Sequence, residues 1–168
     1  WLIFVFGLYF GFRIQRAGAG VKSPGRTLLL SLIPVALLAG GFALLMSLEL
    51  VVMPTKEVPG TVQGMPWFLG LLGLGAVVAI AIWPRLGLTL LVYALLARLP
   101  VVVVTWLALQ NGWENTHYVA IAPEFTPPPA DERLAWLIAP QLTAWPVATI
   151  VGGTVAGALG ALLGRRRG

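Results

Sequence analysis

The sequence predicts an all-α integral membrane protein, built as a bundle of about five transmembrane helices. Hydrophobic residues make up 58% of the 168 positions and charged residues only 10%, whereas about a quarter of an average soluble domain is charged. The mean hydropathy is +0.90. Several runs approach the length of about 20 residues that a helix needs to cross the hydrocarbon core. These runs are apolar throughout and do not alternate between apolar and polar residues, which favours helices over a membrane barrel.

The spans follow one another along the chain. The first is short, about 18 Å of helix at 1.5 Å per residue. Because the chain begins with Trp1 rather than Met, we expect part of this helix to precede the sequence given. The last span lies within residues 134–164, where Pro140 and Pro146 occur, and we expect the first part of this run, which contains Trp136, to be interfacial or a kinked entry. The five predicted spans are 1–12, 27–48, 66–83, 86–109 and 140–164.

The connections between the spans predict how the chain is threaded. Eight of the 11 Lys and Arg residues lie in loops 13–26 and 84–86 and at the C-terminus, whereas Lys56 and Arg133 lie on the other side. The positive-inside rule therefore makes the first side cytoplasmic and puts loops 51–65 and 112–133 outside. The expected location is the inner membrane of a bacterial cell. All six acidic residues lie on or near the outer side.

Glycines predict where helices approach each other. In the last span Gly153, Gly157, Gly160 and Gly164 form a packing face with recurrent four-residue spacing, which Gly7 and Gly11 repeat in the first span. Small residues at this spacing let helix backbones come close in lipid. The partner of this face is either a helix of the same chain or a different subunit. The short turn WPRLG, residues 83–87, predicts that the third and fourth spans are neighbours.

Tryptophans recur near the predicted span ends. Such residues form aromatic belts at the membrane surface, so they need no cofactor to explain them. The set is Trp67, Trp83, Trp106, Trp113 and Trp136.

The sequence offers few groups for chemistry. It contains no cysteine and one histidine, His117, which excludes thiolate metal sites and a bis-histidine haem within one chain. No catalytic or phosphate-binding motif is visible, and we predict no cofactor. His117 and Glu114 lie in the outer segment WENTHY, where they form half a metal site, a pH-sensitive contact, or neither. The cations are scattered as loop anchors, so nucleic acid is not an expected partner.

Arg98 is the one charged residue inside a predicted span. Arginine near the middle of a membrane costs at least about 2.5 kcal/mol, and three accounts of what offsets this cost stay open. Arg98 bonds carbonyls that Pro100 frees, or faces a wet cavity that binds an anion, or pairs with an acid of another subunit. Glu49 is the nearest acid of the chain itself, but it lies at a shallower depth. In the second account the candidate polar site is Arg98 with Gln141, Thr105 and Thr143.

Two functions follow from these features. The first is a non-catalytic subunit or assembly factor of a larger membrane complex, with the lipid bilayer and other membrane protein subunits as partners. The proline-containing outer loop 112–133 is its candidate contact surface, or else a spacer. The alternative is a small homo-oligomeric transporter or channel that binds an anionic group at Arg98.

Overall fold

The structure is a computed structural model and describes residues 1–113 and 116–165. Within these ranges the protein is helical and contains no strand, only two isolated β-bridges in the loops. The all-α prediction is therefore confirmed for the described residues. The helices are α1 (Leu2–Arg16), α2 (Pro24–Ser47), α3 (Met65–Ile82), α4 (Pro84–Gln110), α5 (Arg133–Leu142) and α6 (Ala144–Leu163).

Four helical segments are long and apolar enough to cross a membrane. They are α2, α3, α4 and the segment Arg133–Leu163, which comprises α5 and α6. Helix α1 is only 15 residues long, or about 22 Å.

The last predicted span differs from the structure. We expected a span from residue 140, but residues 140–142 end α5 and a break at Thr143 separates them from α6. Pro146 has no N–H to donate to the Leu142 carbonyl, and its ring clashes with that carbonyl in a continuous helix. The chain therefore leaves helical geometry at Thr143, where φ is −120° and ψ is −78°. Pro146 itself fits in the first turn of α6.

Helix α6 is the centre of the bundle. It contacts all five other helices. In the most apolar stretch of the segment Arg133–Leu163, which includes α6, 61% of the residues are buried, against 11–17% in the corresponding stretches of α2, α3 and α4. Leu86, Leu90 and Ile150 are almost completely buried in the core that α6 forms with α3 and α4. The other helices thus surround α6 and leave their outer faces open.

Helix α1 lies directly against α6 through glycines. A Cβ atom built on Gly7 would lie 2.5 Å from the Gly153 carbonyl oxygen, and one on Gly11 would overlap the Gly157 backbone. Further along, Gly160 faces the Leu8 carbonyl and Gly164 faces the backbone of Phe12. The partner of the predicted glycine face is therefore α1 of the same chain.

Two groups of loops lie at opposite ends of the bundle. At one end Arg85 Nη1 donates to the Ala19 carbonyl over 3.3 Å, which joins the α1–α2 and α3–α4 connections. At the other end Gly60 N donates to the Glu124 carbonyl over 3.0 Å, and Thr126 N donates to the Gly60 carbonyl over 2.9 Å. The two loops predicted to share the outer side are thus paired with each other.

The turn between α3 and α4 places these helices side by side, as Gly87 approaches the Ile80 backbone closely. The aromatic-belt prediction is wrong for Trp83 in this turn. Its side chain is 3% exposed and packs with Leu86 and Ala79 in the core. Trp83 lies between the end of α3 and the start of α4, and its ring is part of the core at this turn instead of facing outward.

Candidate functional site

Arg98 lies near the middle of α4, a helix of 27 residues and about 40 Å. Its Nη1 donates to Gln141 Oε1 over 3.1 Å, and its Cζ lies 4.8 Å from the ring centroid of Trp145. The guanidinium therefore bonds a side chain on a neighbouring helix, and not the Leu96 carbonyl that Pro100 leaves without its usual donor.

The break at Thr143 brings the two partners of Arg98 together. Gln141 lies at the end of α5 and Trp145 at the start of α6. A hydrogen bond to a charged group contributes about 1.5–3 kcal/mol, and a cation–π contact about 0.5–2 kcal/mol. These contributions are comparable with the cost of about 2.5 kcal/mol for an arginine at mid-membrane.

Arg98 forms one wall of an open cleft of about 430 Å³. On α4 the lining residues are Arg98, Val101 and Thr105, which share a helix face because they are three and four residues apart. Thr105 is buried and its hydroxyl donates to the Val101 carbonyl over 2.9 Å. The hydroxyl oxygen remains available as an acceptor.

The opposite wall is largely aromatic. Trp136, Leu137 and Gln141 of α5 line the cleft, together with Trp145 of α6. The mouth is formed by Tyr118 and the other loop residues beside it. Among the residues that the structure describes, the lining includes no Asp or Glu, so none of these residues brings a carboxylate to the Arg98 guanidinium.

Not all predicted polar residues belong to the cleft. Arg98, Gln141 and Thr105 line it, but Thr143 does not. Thr143 is exposed, and its Oγ1 donates to the Ala139 carbonyl over 2.7 Å. Thr143 is therefore not brought together with the other three predicted residues at the lining of this cleft.

The cleft also contains His117, which the sequence placed in a separate group. The His117 ring lies on Tyr118, with centroids 3.9 Å apart, and both residues line the mouth. Glu114 lies outside the described residues. Within the described part of the chain, no three His, Cys, Asp or Glu side chains are close enough to hold a metal ion.

Sequence reasoning missed Trp145 and Tyr118 as parts of the site, and treated Trp136 only as a belt residue. Trp145 follows Gln141 by four residues, a spacing that puts two side chains on one helix face. The four-residue spacing was therefore a sequence signal for Trp145, although the break at Thr143 places the two residues on different helices. No local pattern points to Tyr118, because the outer loop brings it to the cleft from a distant part of the chain.

Comparison of the chain with protein-family models, curated proteins and solved structures finds no match. The residues of the cleft are therefore the basis for a functional assignment.

Proposed function

We propose that the chain is a multi-pass protein of a bacterial inner membrane, with α1 as a fifth membrane helix beside the four longer segments. The cytoplasmic side holds loops 13–26 and 84–86 and the C-terminus. The distribution of charge supports this orientation. Among the described residues, the Arg85 end of the bundle carries six cations and no acid, whereas the Glu124 end carries five acids and two cations. Arg166 and Arg167 lie outside the described residues.

Single cysteines test the orientation cleanly because the chain has none of its own. Thr126 and Ser23 are exposed at opposite ends of the bundle. In intact cells we expect Thr126→Cys to react with a membrane-impermeant maleimide and Ser23→Cys to react only after permeabilisation. The opposite labelling pattern would contradict the proposed orientation.

We further propose that the protein binds an anionic group in the cleft, with Arg98 as the positively charged partner. The observation that carries this proposal is a guanidinium in the middle of a long apolar helix, open to a cleft whose described lining residues include no acid. Trp145 covers one face of the guanidinium and Gln141 holds one N–H group. Among the described residues one of its five N–H donors meets an acceptor.

The arrangement suits anions that present two oxygen atoms to the guanidinium. A guanidinium binds a carboxylate or phosphate through two parallel N–H···O bonds, and these bonds are stronger away from water. The contacts with Trp145 and Gln141 hold the Arg98 side chain in place, so less rotamer entropy is lost when an anion binds. Gln141 contributes an amide N–H₂ group within reach of the same anion.

This proposal develops the transporter alternative rather than the subunit hypothesis. One motive for a partner subunit was the glycine face of the last span, and α1 of the same chain occupies that face. Association with other membrane protein subunits stays a prediction.

Thermal stability tests the binding proposal. The purified protein is heated in an uncharged detergent with inorganic phosphate, acetate, oleate or dioleoyl phosphatidylglycerol. A ligand at ten times its Kd stabilises the folded state by about 1.4 kcal/mol, so at least one anion should raise the melting temperature. We expect this rise to disappear in Arg98→Gln.

The matched control is Arg26→Gln, because Arg26 is an exposed cation at the other end of the bundle. The same anion that raises the melting temperature of the wild type should also raise that of Arg26→Gln. The proposal would be contradicted if none of the four anions raised the melting temperature of the wild type. It would also be contradicted if an anion raised the melting temperature of Arg98→Gln equally.

A further inference from the structure

The cleft combines one cationic group with an apolar interior. Counted over the described residues, its lining contains a single guanidinium and no Lys, Asp or Glu. Val101, Leu137 and Trp136 contribute apolar surface to the same lining. Ligand sites of this size, within the usual range of about 300–1,000 Å³, bind apolar bodies and fix them with a few polar groups. The lining thus matches a ligand with one negative charge and an apolar body.

The Arg98 end of the cleft is also open sideways. Trp145 and Pro140 both line the cleft and are exposed, Trp145 to 45%. Leu99, next to Arg98, is 54% exposed. In a protein that spans the bilayer, exposed apolar side chains at the middle of a helix face acyl chains. A ligand can therefore approach Arg98 from the lipid without passing through the outer loops.

The open side distinguishes this cleft from a site for a small hydrated anion. A small anion would have to give up its water to reach the middle of α4, and only Arg98, Gln141, Thr105 and the mouth residues would replace it. An amphiphile leaves its apolar part in an apolar environment throughout, and only its headgroup is transferred to the guanidinium. The cost of desolvation is therefore lower for the amphiphile.

We infer that the ligand is an amphiphile with one anionic headgroup, a carboxylate or a singly charged phosphate ester. The headgroup binds Arg98 and Gln141, and the adjoining part of its chain lies against Val101, Leu137 and Trp136. This inference rests on the proposed anion-binding function and adds the ligand class and its route. The shared chemistry covers a free fatty acid and an anionic phospholipid.

Photolabelling tests the inference. The full chain is placed in phosphatidylcholine nanodiscs with a palmitate that carries a diazirine on its chain, irradiated, and analysed by peptide mass spectrometry. We expect labels on Val101, Leu137 or Trp136 in the wild type and in Arg26→Gln. A lost hydrogen bond to a charged group lowers affinity on the order of tenfold or more, so Arg98→Gln should lose these labels by that factor.

Lipid-facing residues provide an internal control for folding and probe concentration. Leu29 of α2 is 71% exposed and Val77 of α3 is 63% exposed, so both should be labelled equally in all variants. Oleate should compete for the cleft labels, whereas methyl oleate, which lacks the charge, should not. Competition by dioleoyl phosphatidylglycerol at lower concentration than oleate would identify a phospholipid as the preferred source of the headgroup.

The outcomes separate this inference from the function on which it rests. Unchanged cleft labels in Arg98→Gln, or equal competition by methyl oleate, would overturn the inference. If phosphate or acetate stabilises the protein through Arg98 while the probe leaves the cleft unlabelled, anion binding holds and the amphiphile is wrong. If no anion stabilises the protein and the cleft stays unlabelled, the anion-binding function and the amphiphilic ligand are both wrong.

Discussion

Replacement of Gly11 by leucine is expected to push α1 away from α6 and to lower the melting temperature strongly. A Cβ atom at Gly11 would overlap the Cα, carbonyl carbon and oxygen of Gly157. These are backbone atoms of the central helix, so no rotamer change relieves the overlap. Overpacking of a dense core costs about 1–3 kcal/mol, and we expect at least the upper part of this range. Differential scanning fluorimetry of the purified protein in detergent measures the effect.

Gly73→Leu is the matched control. Gly73 lies inside α3, and a Cβ atom built there meets nothing within 4 Å. Both substitutions replace a helical glycine by leucine, so both gain about the same helix propensity. The difference between the two melting temperatures therefore isolates the contact between α1 and α6. Equal melting temperatures would show that the two helices are not held at glycine distance.

Leu90→Ala is expected to destabilise the protein by about 2 kcal/mol. Leu90 is completely buried and its methyl groups lie over the Gly153 backbone. Removal of a buried leucine side chain costs about 2–5 kcal/mol in soluble proteins, part of it for the cavity that remains. In a membrane a leucine side chain is not transferred out of water when the helices pack, so its removal costs only the packing contribution. We therefore expect the low end of that range.

Leu88→Ala on the same helix is the comparison, because Leu88 is 53% exposed. Its side chain faces outward, so its loss removes few protein contacts. Denaturant titration of both variants in mixed micelles should show an appreciable loss in the free energy of unfolding only for Leu90→Ala. A larger effect at Leu88 would contradict the position of α6 at the centre of the bundle.

Hydropathy and charge were sufficient to predict helices, their approximate positions and the two ends of the bundle. They could not predict which helix is central, because a lipid-facing leucine and a protein-facing leucine are equally apolar. Only the glycines at 153, 157, 160 and 164 marked the last span for close packing, and they did not identify its partner. The break at Thr143 had a signal in Pro146, but hydropathy alone extended the span back to Pro140. Trp83 was misplaced because proximity to a span end does not show which way a ring points.

The candidate site was predictable where a polar residue stands alone in apolar sequence. Arg98, Gln141 and Thr105 stand out for this reason, and all three line the cleft. Thr143 met the same criterion but does not line the cleft. It lies at the break between α5 and α6, where helical periodicity does not predict the direction of a side chain. The contributions of His117 and Tyr118 depend on how a long loop folds back toward α4, and no local periodicity carries that information.

The contact between α1 and α6 also has a consequence for biosynthesis. Roughly 150 residues separate Gly7 from Gly153, and at about 5–20 residues per second a ribosome needs about 7–30 s to make that length. During this time α1 is in place while the groove that receives its glycines does not exist. The nascent chain therefore holds an unoccupied glycine surface until synthesis of α6 is complete. Any factor that shields small-residue surfaces of unassembled helices has its longest opportunity to act on α1.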